Sequence, residues 1–213
     1  MNLLECLVGL ALCLALLNPL LKTSADLVAK QIQFEKTQVL IADGDRALEL
    51  IGRAIRIAGY SRIQSPVTKS QRADVNRFVQ VQKKTGYRQS DSLTVQHGLS
   101  DGEDFDCIGN VITQDRTKHQ LALQGFLVER QAGVPKGAKV NGGSLICQSL
   151  DRQGRIQNTT LMNGIHALWI EDVTPLNPSE NGGQKLYKIT LQMTDGRALH
   201  LELQRTFATR NLL

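Results

Sequence analysis

At 213 residues and 23.5 kDa the chain has room for one ordinary domain, or one domain plus an appendage. Apolar residues make up 41% and charged residues 21%, which excludes disordered, collagen-like and coiled-coil-only chains, and aromatics at 4% leave the core to aliphatic side chains. The net charge of +5 permits an anionic partner without demanding one, and four cysteines are too few for a disulfide scaffold or a Cys-rich metal fold.

The apolar residues begin at the N-terminus. From Cys6 to Leu21 there are sixteen residues without a charge, eight of them Leu, and from Met1 to Leu21 the only charged side chain is Glu5. A helix of that length spans about 30 Å, the thickness of a bilayer's hydrocarbon core. No Lys or Arg precedes the apolar run and no small-x-small cleavage site follows it, so the segment reads as a retained single membrane helix and not as a secretory signal. Glu5 is the odd residue. A carboxylate at this depth costs roughly 2.5–3.5 kcal/mol on insertion scales. Either it meets a free α-amino group, its own or that of a neighbouring subunit, or it snorkels to the headgroups.

Past Leu21, Thr23, Ser24 and Asp26 mark the exit from the apolar stretch, and Lys22 and Lys30 suit a membrane surface. Leu40, Gly44, Ala47, Leu48, Ile51, Ala54, Ile55 and Ala58 then recur at helical spacing, with Arg46, Glu49, Arg53 and Arg56 on the other face. Gly59 ends the pattern with a residue suited to a left-handed cap. One continuous helix from Met1 to Ala58 would be about 87 Å long. Asn18-Pro19 predicts a kink or local melting within it.

The remainder predicts strands: Ser92–His97 with Leu93 and Val95 on one face, Gln120–Glu129, Ser144–Leu150 covered on both sides, Ile165–Val173 with Trp169, and a hairpin of Leu186–Met193 with Arg197–Phe207. Matching apolar faces in that hairpin predicts a three-residue loop, Thr194-Asp195-Gly196, with Leu191 opposite Leu199 and Ile189 opposite Leu201. Asn141-Gly142-Gly143 and Pro175 to Gly183 read as loops. A long helix followed only by strands implies an α+β fold in which the helix covers one face of an antiparallel sheet. The division expected is a transmembrane helix over 1–22 and a globular domain over 23–213 that includes the amphipathic helix half 23–58.

Catalytic motifs are missing. The sequence has no G-x-x-x-x-G-K-[ST], G-x-G-x-x-G, G-x-S-x-G or H-E-x-x-H, and His97, His119, His166 and His200 show no ligand spacing. Neither a cofactor nor a metal is implied. Asn158-Thr159-Thr160 matches a glycosylation sequon.

Several stretches carry a family resemblance. Met1-Asn2-Leu3-Leu4-Glu5, ahead of an uncharged apolar run, resembles the mature start of type IV pilins and pseudopilins, with Met1 where Phe is commoner. The stretch from Arg46 to Tyr60 (RALELIGRAIRIAGY) resembles the PilW-type minor pilins, as do Asp91–Val95, Asp106-Cys107-Ile108-Gly109-Asn110, Gly143–Cys147 and the segment Leu161 to Trp169. The sequence begins where the family's mature chains begin, without the leader ending in Gly, so Met1 is either the processed first residue or an initiator, and the family's helix-kinking proline usually lies further along than Pro19. The resemblance implies a non-catalytic filament subunit with Met1 as the processed and methylated N-terminus, released by a prepilin peptidase. It implies a single-pass inner-membrane protein with its head in the periplasm, which then joins the pilus, at its tip. Its implied partners are other minor pilins, the major pilin and the inner-membrane assembly platform. Glu5 would neutralise the α-amino group of an adjacent subunit and help to set axial register, a role suited to a desolvated ion pair. A type II secretion minor pseudopilin is the alternative within the same architecture. A membrane-anchored DNA- or receptor-binding module is the alternative outside it.

In that setting the head faces an oxidising compartment, and Cys107 and Cys147 are expected to pair. Closing a loop of about 40 residues would stabilise the fold by roughly 3–4 kcal/mol in the chain-entropy model. Cys6 and Cys13 share a helix face and are expected to act as small packing residues. Charge is segregated: Arg62, Lys69, Arg72, Arg77, Lys83, Lys84 and Arg88 form a basic stretch against Asp74 alone, and Asp91, Asp101, Glu103, Asp104 and Asp106 follow without a cation. Arg72, Arg77, Lys83, Lys84 and Arg88 are the candidate nucleic-acid contacts, although only Phe78 and Tyr87 are interleaved for stacking. A solvated loop, or pairing with the acidic stretch or with a partner subunit, is the competing expectation. The acidic run lacks the spacing and closing Glu of a calcium loop.

Overall fold

Fifty-five residues, Leu3–Ile57, form one α-helix, α1. The computed structural model describes residues 3–60, 78–100, 104–118, 121–135, 137, 142–175, 184–196 and 199–210. Arg62, Lys69, Arg72, Asp74, Arg77, Asp101, Glu103, His119, Asn141 and the loop over 176–183 lie outside the described residues, as do Met1 and the side chain of Glu5. Pro19 lies inside α1, whose helical pattern runs through it, so the local melting suggested by Asn18-Pro19 does not occur. Proline removes a single N–H donor. Four residues on, Thr23 Oγ1 donates to the Pro19 carbonyl at 2.8 Å, a back-bond open to Thr within a helix.

The chain divides into two units, Met1–Val39 and Leu40–Leu213. In the first, large apolar side chains from Leu3 to Val39 are exposed. The second has one core. Ala47, Leu48, Ile51, Ala54, Ile55 and Ala58 of the helical segment are all fully buried, on the stripe expected from their spacing. They form one cluster with Leu93, Val95, Phe126, Val128, Leu145, Leu168, Ile170, Ile189, Leu191 and Met193 of the sheet. Gly44 and Gly52 bring the helix backbone close: a Cβ at Gly44 would strike Leu203, and one at Gly52 the ring of Phe207. Gly59 adopts φ +72° and donates its N–H to Gln96 O at 3.0 Å, joining the helix end to the sheet.

The strands are β1 (Val79–Gln82), β2 (Ser92–Gly98), β3 (Asp104–Phe105), β4 (Val111–Ile112), β5 (Leu121–Arg130), β6 (Gly143–Leu150), β7 (Ile156–Asp172), β8 (Leu186–Thr194) and β9 (His200–Ala208). Seven of them form one sheet in the order β1-β2-β5-β6-β7-β8-β9, and β3 with β4 forms a separate hairpin. Every pairing is antiparallel. The protein is therefore α+β, as the element order implied.

Three strand expectations need correction. Leu191 lies opposite Leu203 and Met193 opposite Leu201, so the β8–β9 connection runs from Asp195 to Leu199 and the three-residue loop is wrong. The apolar faces still match because the pairing moved by an even number of residues, and side-chain alternation cannot distinguish even shifts. Gly196 keeps its predicted positive φ, +75°. β7 begins at Ile156, well before Ile165, because its polar first half pairs with β6. β1 and the β3–β4 hairpin were not anticipated; they are four and two residues long, too short for alternation to register.

Candidate functional site

The first candidate region is the apolar start of α1. Cys6–Ile57 contains a window long and apolar enough to cross a membrane, and that window has no buried share. Leu3, Leu4, Leu7, Leu10, Leu12, Leu16, Leu20 and Leu21 all present most of their surface, which is costly in water at roughly 25 cal/mol per Å² of apolar area. Cys6 and Cys13 are free and exposed on the same segment. Glu5 lies on α1 within this stretch.

The second region is a knot that fastens residues 104–118 to the sheet. Cys107 and Cys147 form a disulfide across a sequence separation of 40, with Cα atoms 6.1 Å apart. Both cysteines are buried within the core cluster. Next to the bridge, the buried Asp106 carboxylate accepts from the backbone N–H of Ile108 at 3.1 Å and of Asn110 at 2.8 Å, and from Arg116 Nη2 at 2.7 Å. Arg116 donates further to the carbonyls of Leu150 and Val111, both at 2.9 Å. One guanidinium thus ties the tip of β6 to the β3–β4 hairpin, each of its three nitrogens donating a hydrogen bond, and the buried Asp106 carboxylate is compensated by that charge and by two backbone N–H groups. The Asp106–Asn110 stretch is a structural turn. Asp104 is likewise engaged, accepting from Ser100 N and Ser100 Oγ, both at 2.7 Å. Among the described residues no group of His, Cys, Asp or Glu is arranged to hold a metal ion.

The third region is the described part of the basic stretch. Lys83 Nζ lies 2.9 Å from Asp91 Oδ2 and also donates to the carbonyl of Ile170. The Asp91 carboxylate, almost wholly buried, accepts from Lys84 N at 3.0 Å and Ile170 N at 2.9 Å as well. Lys83 is thereby engaged with the acidic stretch and stitches the β1–β2 connection to β7. The Lys84 side chain is exposed. Arg88 lies over the Tyr87 ring and donates to His166 Nδ1 at 2.5 Å. Lys83, Lys84 and Arg88 therefore form no open cationic row.

Sequence reasoning missed His97. It is buried beyond Leu93 and Val95 on the same face of β2, and neither ring nitrogen has a hydrogen-bond partner among the described residues. Burial pushes its pKa below the ordinary 6.5, with the nearby Asp104 charge acting the other way. Period-two spacing from Leu93 was the available signal. His200 is exposed, as its polar-face position predicted, but its ring meets that of His166 edge-on with centroids 5.3 Å apart.

Comparison of the chain with protein-family models, with curated protein sequences and with solved structures finds no match.

Proposed function

We propose that the protein is a non-catalytic minor pilin subunit of a type IV pilus, acting in the tip or initiation complex that primes assembly. The observation that carries this reading is the division of labour along α1. Its first part holds exposed leucines and one acidic residue at position 5, and its last part is buried on an antiparallel sheet. A helix exposed in this way is stable only where other apolar surface replaces water. In this reading the bilayer does so first, with the head in the periplasm, and the helices of neighbouring minor and major pilins do so after assembly. The assembly platform and the prepilin peptidase act on the subunit before that transfer. Glu5 then faces the α-amino group of an adjacent subunit at Met1, and the pair sets how far one subunit rises above the next.

The decisive experiment is Glu5→Ala in the full chain. The variant is expected to remain in the membrane fraction, because an uncharged helix inserts more readily, and to be absent from sheared filaments. Filament incorporation equal to the parent chain would overturn the reading and leave a membrane-anchored head.

A further inference from the structure

Two departures from regular backbone bring nitrogen-rich side chains to one point on the surface of the Leu40–Leu213 unit. His166 is the extra residue at a bulge in β7, between the paired Ile165 and Ala167. Bulges re-aim side chains and are frequent beside functional sites. Arg88 and the following Gln89 both hold positive φ, +53° and +59°, in the β1–β2 connection. Such conformations cost of order 1–3 kcal/mol in a non-glycine residue and persist where surroundings enforce them. Gly86 N–H to Ser90 O at 2.8 Å and Ser90 N–H to Tyr87 O at 3.1 Å enforce them here.

The result is Arg88 Nη1 at 2.5 Å from His166 Nδ1, with the His200 ring from β9 edge-on against His166 at 5.3 Å. A guanidinium only donates, so His166 Nδ1 accepts and its ring is neutral in this arrangement. Burial, and after it the charges of Arg88 and His200, hold the His166 pKa below the usual imidazole value. Asp195, in the β8–β9 connection, directs one carboxylate oxygen to Leu199 N at 3.1 Å. Among the described residues no carboxylate pairs with Arg88, His166 or His200. Among the described residues, three groups able to carry positive charge thus converge without an ion-paired carboxylate, and the contacts of Arg88 there are to His166 and the Tyr87 ring.

We propose that Arg88, His166 and His200 form a binding site for a phosphate group, taken as the free ion or as a phosphate monoester. A tetrahedral oxyanion supplies several acceptors at once, which matches a guanidinium flanked by two imidazole N–H donors. Binding is linked to proton uptake: on protonation His166 Nδ1 becomes a donor and releases Arg88 Nη1, and an anion accepting from both groups favours that charged form, so affinity rises as pH falls through the imidazole range. The site is independent of the filament reading.

The test is a histidine-resolved NMR titration of the full chain in detergent with inorganic phosphate, against sodium chloride at matched ionic strength. Phosphate is expected to shift the His166 and His200 signals saturably, leave His97 unmoved, and raise the His166 midpoint by about one pH unit, equivalent to tenfold tighter binding to the protonated site. Arg88→Gln is expected to abolish the effect and Arg88→Lys to restore part of it. His200→Gln, at an exposed position, is expected to weaken it with the Arg88–His166 bond in place. The proposal is overturned if no saturable shift occurs, if chloride reproduces it, if it survives in Arg88→Gln, or if zinc binds the pair of histidines and phosphate does not.

Discussion

His97 has the same reach into the core as Leu93 and Val95, four and two residues before it on β2, but it brings two polar nitrogens that find no partner among the described residues. Leaving such groups dry costs about 1–3 kcal/mol, and charging the ring inside would cost more. Its folded pKa lies below the unfolded value of about 6.5. Above that value neither state binds the proton and the group is silent. Below it the unfolded chain takes up a proton that the folded chain refuses, so stability declines as pH falls from about 6.5 towards the lowered folded value. His166 contributes with the same sign. His97→Leu removes the unpaired nitrogens and the titration together. Thermal melts are expected to show a variant at least as stable as the parent at pH 7 and a shallower loss of Tm towards pH 5. An unchanged pH slope would mean that His97 does not remain neutral in the fold. The opposite solution to burying polarity stands nearby: Asp106 and Arg116 are almost wholly enclosed yet satisfied by backbone and by each other.

At the scale of elements, the fit of α1 to the sheet depends on two places where the helix has no side chain. Gly52 faces the Phe207 ring near the end of β9, and the same edge carries Arg205 bonded to Asp45 at 2.9 Å and Arg56 to Glu49 at 2.5 Å. Helix propensity alone favours replacing Gly52, since Ala is better by about 1 kcal/mol. Packing opposes it, because even a Cβ overlaps the ring. Gly52→Val adds two methyl groups to that overlap and a β-branch to the helix, so a loss of about 1–3 kcal/mol is expected in denaturant melts. A gain in stability would show that the Phe207 ring swings aside freely. This contact was not legible in the sequence, where Gly52 is not among the residues of the helical stripe. The stripe itself was legible, because the spacing of Ala47, Leu48, Ile51, Ala54 and Ile55 reflects burial directly. So were the buried face of β2 and the burial of β6 on both sides. Loop length in the last hairpin was not, since Leu199, Leu201 and Leu203 offer equivalent partners to Leu191 at every even shift. The polar first half of β7 was hidden for a related reason: Gln157, Asn158 and Thr160 are exposed, so nothing apolar alternates there.

At the scale of the whole molecule, the two units make opposite demands on solvent. The Leu40–Leu213 unit buries most of its large aliphatic side chains and carries most of its charges outside, with Asp91 and Asp106 buried and bonded, whereas Met1–Val39 exposes Leu, Val, Ile and Phe side chains along its length. The N-terminal feature was plain in the sequence, as sixteen uncharged residues cannot be mistaken. The Arg88–His166–His200 cluster was not, because residues 78 and 34 positions apart meet only through the strand order and a bulge. If the head is complete without the apolar segment, removing residues 1–39 should change where the protein resides and little else. The core cluster begins with Leu40 packed against it and includes no earlier residue, and the disulfide lies wholly in the second unit. The full chain is expected in the detergent-rich phase on phase separation. The chain lacking residues 1–39 is expected in the aqueous phase, with the Cys107–Cys147 bridge formed and a Tm within a few degrees of the parent. That tolerance follows because the deleted residues bury nothing of their own, while the new helix start loses only the end bonds that any helix leaves open. Retention of the shortened chain in the detergent-rich phase would reveal a second membrane-binding surface on the head. A Tm lower by ten degrees or more, about 3–5 kcal/mol for a domain of this size, would show that the first unit supports the second.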